Sequence, residues 1–269
     1  MMCARNNNEI SRRILSGKSL YITILIGCVI VVLDQMAVYK RYNYDLPLPP
    51  QNAFMSWMGF INTSVYSFIF FTILPLLVVL PAVGMFCSDI KNGYYRQLVI
   101  RHGKKQFYLK WGRSIFFAGF VVVFATLLFS FLVSLVLYPC LMPDSYTGAI
   151  GGRNSYLFRV FYYYPFLYTV IYILLNSLMG GVLSLIAAGS YFVFYNTVVA
   201  MLFPFIIYYL LSVINGIWDL KYQICPADFL KPAVGISTMT NLCTLVSLVI
   251  VAACLWFFAS HRKDEEIVG

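Results

Sequence analysis

An all-α, polytopic membrane fold is what this sequence predicts, and three observations predict it. Of the 269 residues 61% are hydrophobic and only 11% are charged, with a mean hydropathy of +0.80. A soluble domain carries about a quarter charged residues and needs a polar skin, so this much apolar surface cannot be hidden inside one globule. The apolar residues gather in uncharged runs of about 20 or more, the length that crosses about 30 Å of hydrocarbon as a helix. These runs lack the alternation of barrel strands, which leaves helices as the spanning element. Soluble enzymes, disordered chains, collagens and small disulfide scaffolds are excluded by the same composition.

Taken in order, the runs predict six transmembrane helices in a single domain covering 1–269. Residues 19–39 form the first, interrupted by Asp34. Residues 46–88 are uncharged but open on Leu46-Pro47-Leu48-Pro49-Pro50, so the second span is placed at 64–86. The third, 114–138, stops before Pro139. Residues 160–218 hold no charge and are too long for one crossing; the small cluster Ala187-Ala188-Gly189-Ser190 divides them into spans at 166–188 and 191–215. The sixth is placed at 237–259. Pro75, Pro81 and Pro204 lie inside spans and are expected to kink the second and fifth. The first apolar run follows Arg12, Arg13 and Lys18 as in a signal peptide, but no small-x-small cleavage site precedes Asp34, so it is read as a retained span.

Orientation follows from the cations. With six spans, thirteen Lys and Arg fall on the side of both termini, and six on the other: Lys40, Arg41, Arg153, Arg159, Lys221 and Lys231. The excess places both termini in the cytoplasm. The net charge of +9 is then a topology signal and an attraction to the anionic surface of the lipid bilayer. A nucleic-acid partner is not expected, since no soluble domain offers a basic folded surface.

Several chemistries have no residues to carry them. No Gly-x-x-x-x-Gly-Lys-Ser/Thr run occurs, and the two histidines, His102 and His261, lie outside the spans. No enzymatic activity, cofactor or metal is therefore expected of the chain itself. Asp34 is read as an interfacial residue near the outer end of its span, with a proton-relay role as the alternative. The seven cysteines form no Cys-x-x-Cys pair. Cys140 and Cys225 fall on the outer, oxidising side, where a disulfide between them competes with the alternative of free thiols.

Between the second and third spans, at 88–113, the composition turns basic and amphipathic. Ser88 or Asp89 is a candidate helix cap. Ile90, Tyr94 and Leu98, with Tyr95 and Val99 one step round, recur at helical spacing, with Lys91, Arg96 and Arg101 elsewhere in the segment. His102-Gly103 ends this helix, and a second element leads into the third span. Such a helix either lies on anionic lipid or presents Tyr and Arg anchors to a cytoplasmic partner.

The order Asp89, Gly93, Arg96, Leu98, Val99, then Gly103-Lys104-Lys105, Tyr108 and Lys110 to Arg113 resembles the cytoplasmic segment of the membrane permease subunits of type-2 ABC transporters, mostly bacterial exporters. The resemblance covers the span count along the whole chain and individual residues at 88–113; Tyr94 departs from the small or polar residue usual there. It implies a location in the bacterial cytoplasmic membrane and a core of two permease chains, identical or paired with a sister. It implies two copies of a separate cytoplasmic ATPase, which would bind ATP and Mg. The coupling helix at 89–101 would seat Asp89, Ile90, Gly93, Tyr94, Tyr95, Arg96, Leu98, Val99 and Arg101 in a cleft of that ATPase.

Cargo would pass beside polar residues in the spans, and Asn176, Asn196, Asn215 and Asn241 are the candidates for a translocation path; interhelical hydrogen bonding is their alternative role. Without a charged lining, an amphipathic cargo (a peptide, lipid or drug-like molecule) fits better than a sugar or ion. Gly180-Gly181 are expected to let helices approach closely. Two other functions stay open: an ion-coupled secondary transporter, which would show inverted repeats and intramembrane acids, and a membrane scaffold or sensor partner that transports nothing.

Overall fold

The structure, a computed structural model, describes residues 9–44, 52–60, 64–94, 97, 99–100, 103–143, 157–218 and 246–256. Among them every regular element is helical: α1 (Glu9–Leu15), α2 (Lys18–Tyr44), α3 (Ala53–Ser56), α4 (Val65–Val79), α5 (Val83–Lys91), α6 (Lys104–Leu137), α7 (Phe158–Tyr163), α8 (Pro165–Phe194), α9 (Thr197–Trp218) and α10 (Val246–Trp256). Five segments are long and apolar enough to cross a membrane: Lys18–Lys40, Val65–Lys91, Gln106–Leu137, Pro165–Phe194 and Thr197–Ile214. This is the architecture of a polytopic helical membrane protein. The described part of the expected sixth span is α10, an apolar helix shorter than the other five.

The first span matches its expected bounds closely. On α2 the residues Leu20, Thr23, Val31, Asp34 and Val38 are buried, and Tyr21, Leu25, Val29 and Met36 are exposed. Spacings of three and four put the first set on one inward stripe and leave an apolar flank for lipid. The second span is two helices, since α4 ends at Val79 and α5 begins at Val83. Pro81, which has no N–H, lies in this break, and Ser19 Oγ donates to the Leu80 carbonyl at 3.0 Å. A neighbouring side chain thus satisfies a carbonyl beside the break, where the helix cannot.

The bounds of the third, fourth and fifth spans differ from expectation. The helix that carries span three starts well before 114: α6 begins at Lys104 and runs for 34 residues, roughly 51 Å at 1.5 Å per residue, so its first turns extend past the hydrocarbon. The division at Ala187-Ala188-Gly189-Ser190 is overturned as well. These four residues are buried inside the continuous α8, and the chain reverses at Tyr195, whose φ of 50° ends the helix. Small residues here serve contact: a Cβ on Gly189 would lie 2.8 Å from Leu255 of α10.

Contact is closest between α6 and α8. A Cβ added to Gly119 would lie 2.7 Å from the Gly180 carbonyl oxygen, and one on Gly181 would meet the Phe116 ring at 2.6 Å. Ser184 Oγ donates across the seam to the Ile115 carbonyl at 3.1 Å. Small residues that let backbones touch are what hold helices together where lipid is as apolar as leucine. At the end of the bundle where α2 begins, rings from four helices close the core. Phe86 of α5 lies 5.3 Å from Trp111 of α6, 5.8 Å from Phe192 of α8 and 6.0 Å from Trp256 of α10.

The seam gives a direct expectation. Gly119→Ala, which places a methyl group against backbone, destabilises the fold by about 1–3 kcal/mol, while Phe117→Leu on the exposed flank leaves it nearly unchanged. Melting of the detergent-solubilised protein, followed by tryptophan fluorescence, should show the first several degrees below the parent; equal midpoints would refute the close packing.

Candidate functional site

Polar groups concentrate at both ends of the bundle. At the basic end, where Arg12, Arg13, Lys18, Lys91 and Arg113 are exposed, α5 stops at Asn92-Gly93 because Gly93 takes a φ of 71°. Tyr94, Gln97, Val99 and Ile100 are helical. Gly103, with a φ of 80°, ends this stretch and caps α6. These described residues lie between two glycines whose positive φ is one that L side chains rarely adopt, in the stretch that joins the second and third spans.

Asp89 does not start this segment. It lies in the last turn of α5, buried, and both its oxygens accept from Arg13 of α1 at 3.0 Å. The Arg13 guanidinium also lies 5.5 Å from the centre of the Tyr94 ring. One planar cation thus ties the N-terminal helix to the end of span two and the start of the segment, in the bidentate and stacked geometries that suit arginine. Ile14 of α1 is buried in the core beside it.

The expected coupling residues separate accordingly. Asp89 and Ile90 face inward and are not available to a partner; Gly93 supplies the turn; Tyr94 is 40% exposed; Val99 packs against the core. Ile100, not singled out from the sequence, is 85% exposed, and the signal that could have found it is its place between Val99 and the terminating Gly103. Tyr95, Arg96, Leu98 and Arg101 lie outside the residues whose side chains are described.

At the opposite end, residues 52–60 fold into the bundle instead of lying outside it. The segment carries the one-turn helix α3, and its remaining backbone groups find side-chain partners. Gln35 Nε2 donates to the Ser56 carbonyl at 3.0 Å, Ser67 Oγ to the Met58 carbonyl at 2.9 Å, and Ser134 Oγ to the Ala53 carbonyl at 2.9 Å. The Met58 N–H donates to Ser130 Oγ at 2.9 Å, and Ala53 N–H to the Pro139 carbonyl at 3.1 Å. Irregular backbone at membrane depth is tolerated when protein satisfies it in this way.

Asp34 belongs to this knot. It is not at the protein surface: it is 1% exposed and accepts a hydrogen bond from Ser64 Oγ. Ser64 is the N-cap of α4 and accepts from the Ser67 N–H at 3.1 Å. The carboxylate therefore sits at the positive end of a helix, where an anion is stabilised. Its inward direction was legible in the stripe Thr23, Gly27, Val31, Asp34 and Val38, at spacings of three and four.

Of the expected path residues, the two whose side chains are described, Asn176 and Asn196, do not come together. Asn176 is buried in α8, and its Nδ2 donates to the Tyr172 carbonyl one turn back at 2.8 Å. Asn196 is exposed at the reversal between α8 and α9, where its Oδ1 accepts from the Val198 N–H at 3.0 Å; it is a helix cap. The side chain of Asn215 and all of Asn241 lie outside the described residues, as does Cys225. Cys140 is a free, exposed thiol beyond the end of α6, and Cys225, its partner in the alternative of a disulfide, is outside the described residues. Among the described residues no cluster of His, Cys, Asp and Glu could hold a metal ion. No known protein family, curated protein or solved structure matches the chain.

Both ends yield tests. Arg13→Ala leaves the buried Asp89 unpaired, at a cost of about 1–3 kcal/mol, and is expected to speed amide exchange several-fold in the peptide covering 90–104. Asp89→Asn, which removes the charge, does less, and the exchange of positions, Arg13→Asp with Asp89→Arg, recovers part of the protection. Uniform exchange in all three would refute the tie. At the other end Ser64→Ala strips both a carboxylate and a helix start of their partner and costs about 1–3 kcal/mol. Asp34→Asn keeps an acceptor for Ser64 and should melt closer to the parent; the reverse ranking would overturn this account.

Proposed function

We propose that the chain is the permease subunit of an ATP-driven exporter of the type-2 ABC kind, with six spans and both termini in the cytoplasm. It acts in the cell membrane with a second permease chain and two copies of a separate cytoplasmic ATPase, and it carries an amphipathic cargo. The observation that carries the reading is the segment at 92–103. It is bounded by Gly93 and Gly103 in left-handed backbone, continuous with α5 on one side and α6 on the other, and it exposes Tyr94 and Ile100 at the end of the bundle richest in cations. A partner that grips this segment moves the ends of two spans at once. The sixth span is assigned to α10, whose Trp256 packs at the same end as Phe86 and Gly112, as a final descending helix would.

Coupling through this segment predicts a defined loss. The chain purified from its native membrane in mild detergent is expected to bring an ATPase with it, and Tyr94→Glu with Ile100→Glu is expected to release that ATPase while the melting midpoint is kept. Retention of the ATPase by the double variant would count against the segment as its seat. Absence of any ATPase from the parent preparation, with impermeant reagents reaching residues 92–103 from outside intact cells, would sink the reading.

The burial of Asp34 favours a second reading, an ion-coupled transporter, because intramembrane carboxylates are the groups that carry protons and cations. It is separated from the first by energetics. Transport that persists after ATP depletion, collapses with the proton gradient and is abolished by Asp34→Asn belongs to the second; transport that stops with ATP belongs to the first.

A further inference from the structure

The end of the bundle opposite the basic segment holds a cavity of about 430 Å³. Its floor is Phe54 of α3, one wall is Cys140 and Met142 beyond α6, and the other is Tyr164, Phe166 and Leu167 where α7 gives way to α8. The hollow follows from the local chain paths. The helix α6 ends when Tyr138 turns extended, and Pro165 sets the first turn of α8, so the two ends splay apart. The floor is fixed from below: the Phe54 N–H donates to Asn52 Oδ1 at 3.1 Å, and its ring lies 6.1 Å from Phe131, which in turn lies 5.9 Å from Phe166. The floor of the cavity is thus part of the packed core, while its walls are exposed side chains.

We infer that this cavity is a lipid site that holds one acyl chain of a bilayer phospholipid. Among the described residues no charged side chain lines it, so an ion, a sugar or a nucleotide would find nothing there to replace its water. Its volume corresponds to roughly fourteen groups the size of a water, at about 30 Å³ each, and a methylene is of similar size, so a fatty chain of ordinary length fills it. The mouth is continuous with the apolar flank of the bundle, where Leu132, Val136 and Leu137 of α6 and Phe166 and Leu167 of α8 are exposed. A molecule that enters from that flank comes from the bilayer. Tyr163 and Tyr164, 72% and 66% exposed, stand at the rim with hydroxyls for the headgroup level, where tyrosine is enriched in membrane proteins. The site depends on the far-end knot and not on any ATPase, so it stands or falls apart from the permease reading.

The test uses the full chain in detergent, titrated with a phosphatidylcholine that carries a diazirine on one palmitoyl chain, irradiated and mapped by mass spectrometry. Labelling of residues 140–142 and 163–167 is expected to saturate at one probe per chain. Met142→Asp alters an exposed wall residue, and Leu167→Trp fills the cavity without adding charge. Both are expected to lower that labelling about tenfold, equivalent to about 1.4 kcal/mol of binding, with the melting midpoint kept. Labelling that never saturates and spreads evenly over Leu25, Val29 and the outer face of α9 would mean ordinary annular lipid and would overturn the site. Undiminished labelling in the cavity-filling variant would do the same.

Discussion

Hydrocarbon offers no partner to an amide, and this single constraint accounts for where the polar side chains of the bundle lie. A helix satisfies its own backbone; each place where a helix breaks needs help from elsewhere. The break at Pro81 receives Ser19, the reversal after α8 receives Asn196, and the folded-in segment at 52–60 receives Gln35, Ser67, Ser130 and Ser134. Polar residues that would suggest a water-lined path from the sequence alone are, at these positions, closures of interrupted backbone. Asn176 fits the same rule on a smaller scale, holding the Tyr172 carbonyl of its own helix.

The second constraint is shape. With no hydrophobic force to press helices together in lipid, contact must come from surfaces that fit. Gly119, Gly180, Gly181 and Ser184 bring α6 and α8 to backbone contact, Gly27 receives Thr126 across the α2–α6 contact, and Gly112 receives the Trp256 ring. The large aromatic residues fill the ends, where helices diverge and small residues would leave voids.

The spans were legible because hydropathy and length are local properties of the chain. What the sequence left unread depends on contacts between distant positions. Asp89 carries the signature of a helix cap, yet its partner is Arg13, 76 residues away, and no local pattern announces that pairing. Ala187 to Ser190 read as a break by the rules of soluble helices, whereas in this bundle they are buried within α8, where small residues let α10 approach. The charged run from Lys104 to Arg113 hid the start of α6, since a helix that leaves the membrane keeps its hydrogen bonds while it loses its hydropathy. Asp34 is the converse: its stripe on α2 pointed inward, and only its charge argued for the surface.

These features meet in α6. It begins at Gly103, the second hinge of the basic segment, and its far turns carry Ser130 and Ser134, which hold the segment at 52–60. Between them lies the glycine seam with α8. A helix of this length bends little and compresses less, so a displacement at Lys104 cannot be absorbed within it. It either slides along the seam or pivots on it, and in both cases the hydroxyls at 130 and 134 move against the carbonyl and amide they bind. The two ends of the molecule, each irregular and each rich in side-chain hydrogen bonds, are therefore mechanically one system. The basic end and the closure at the other are joined by one continuous helix.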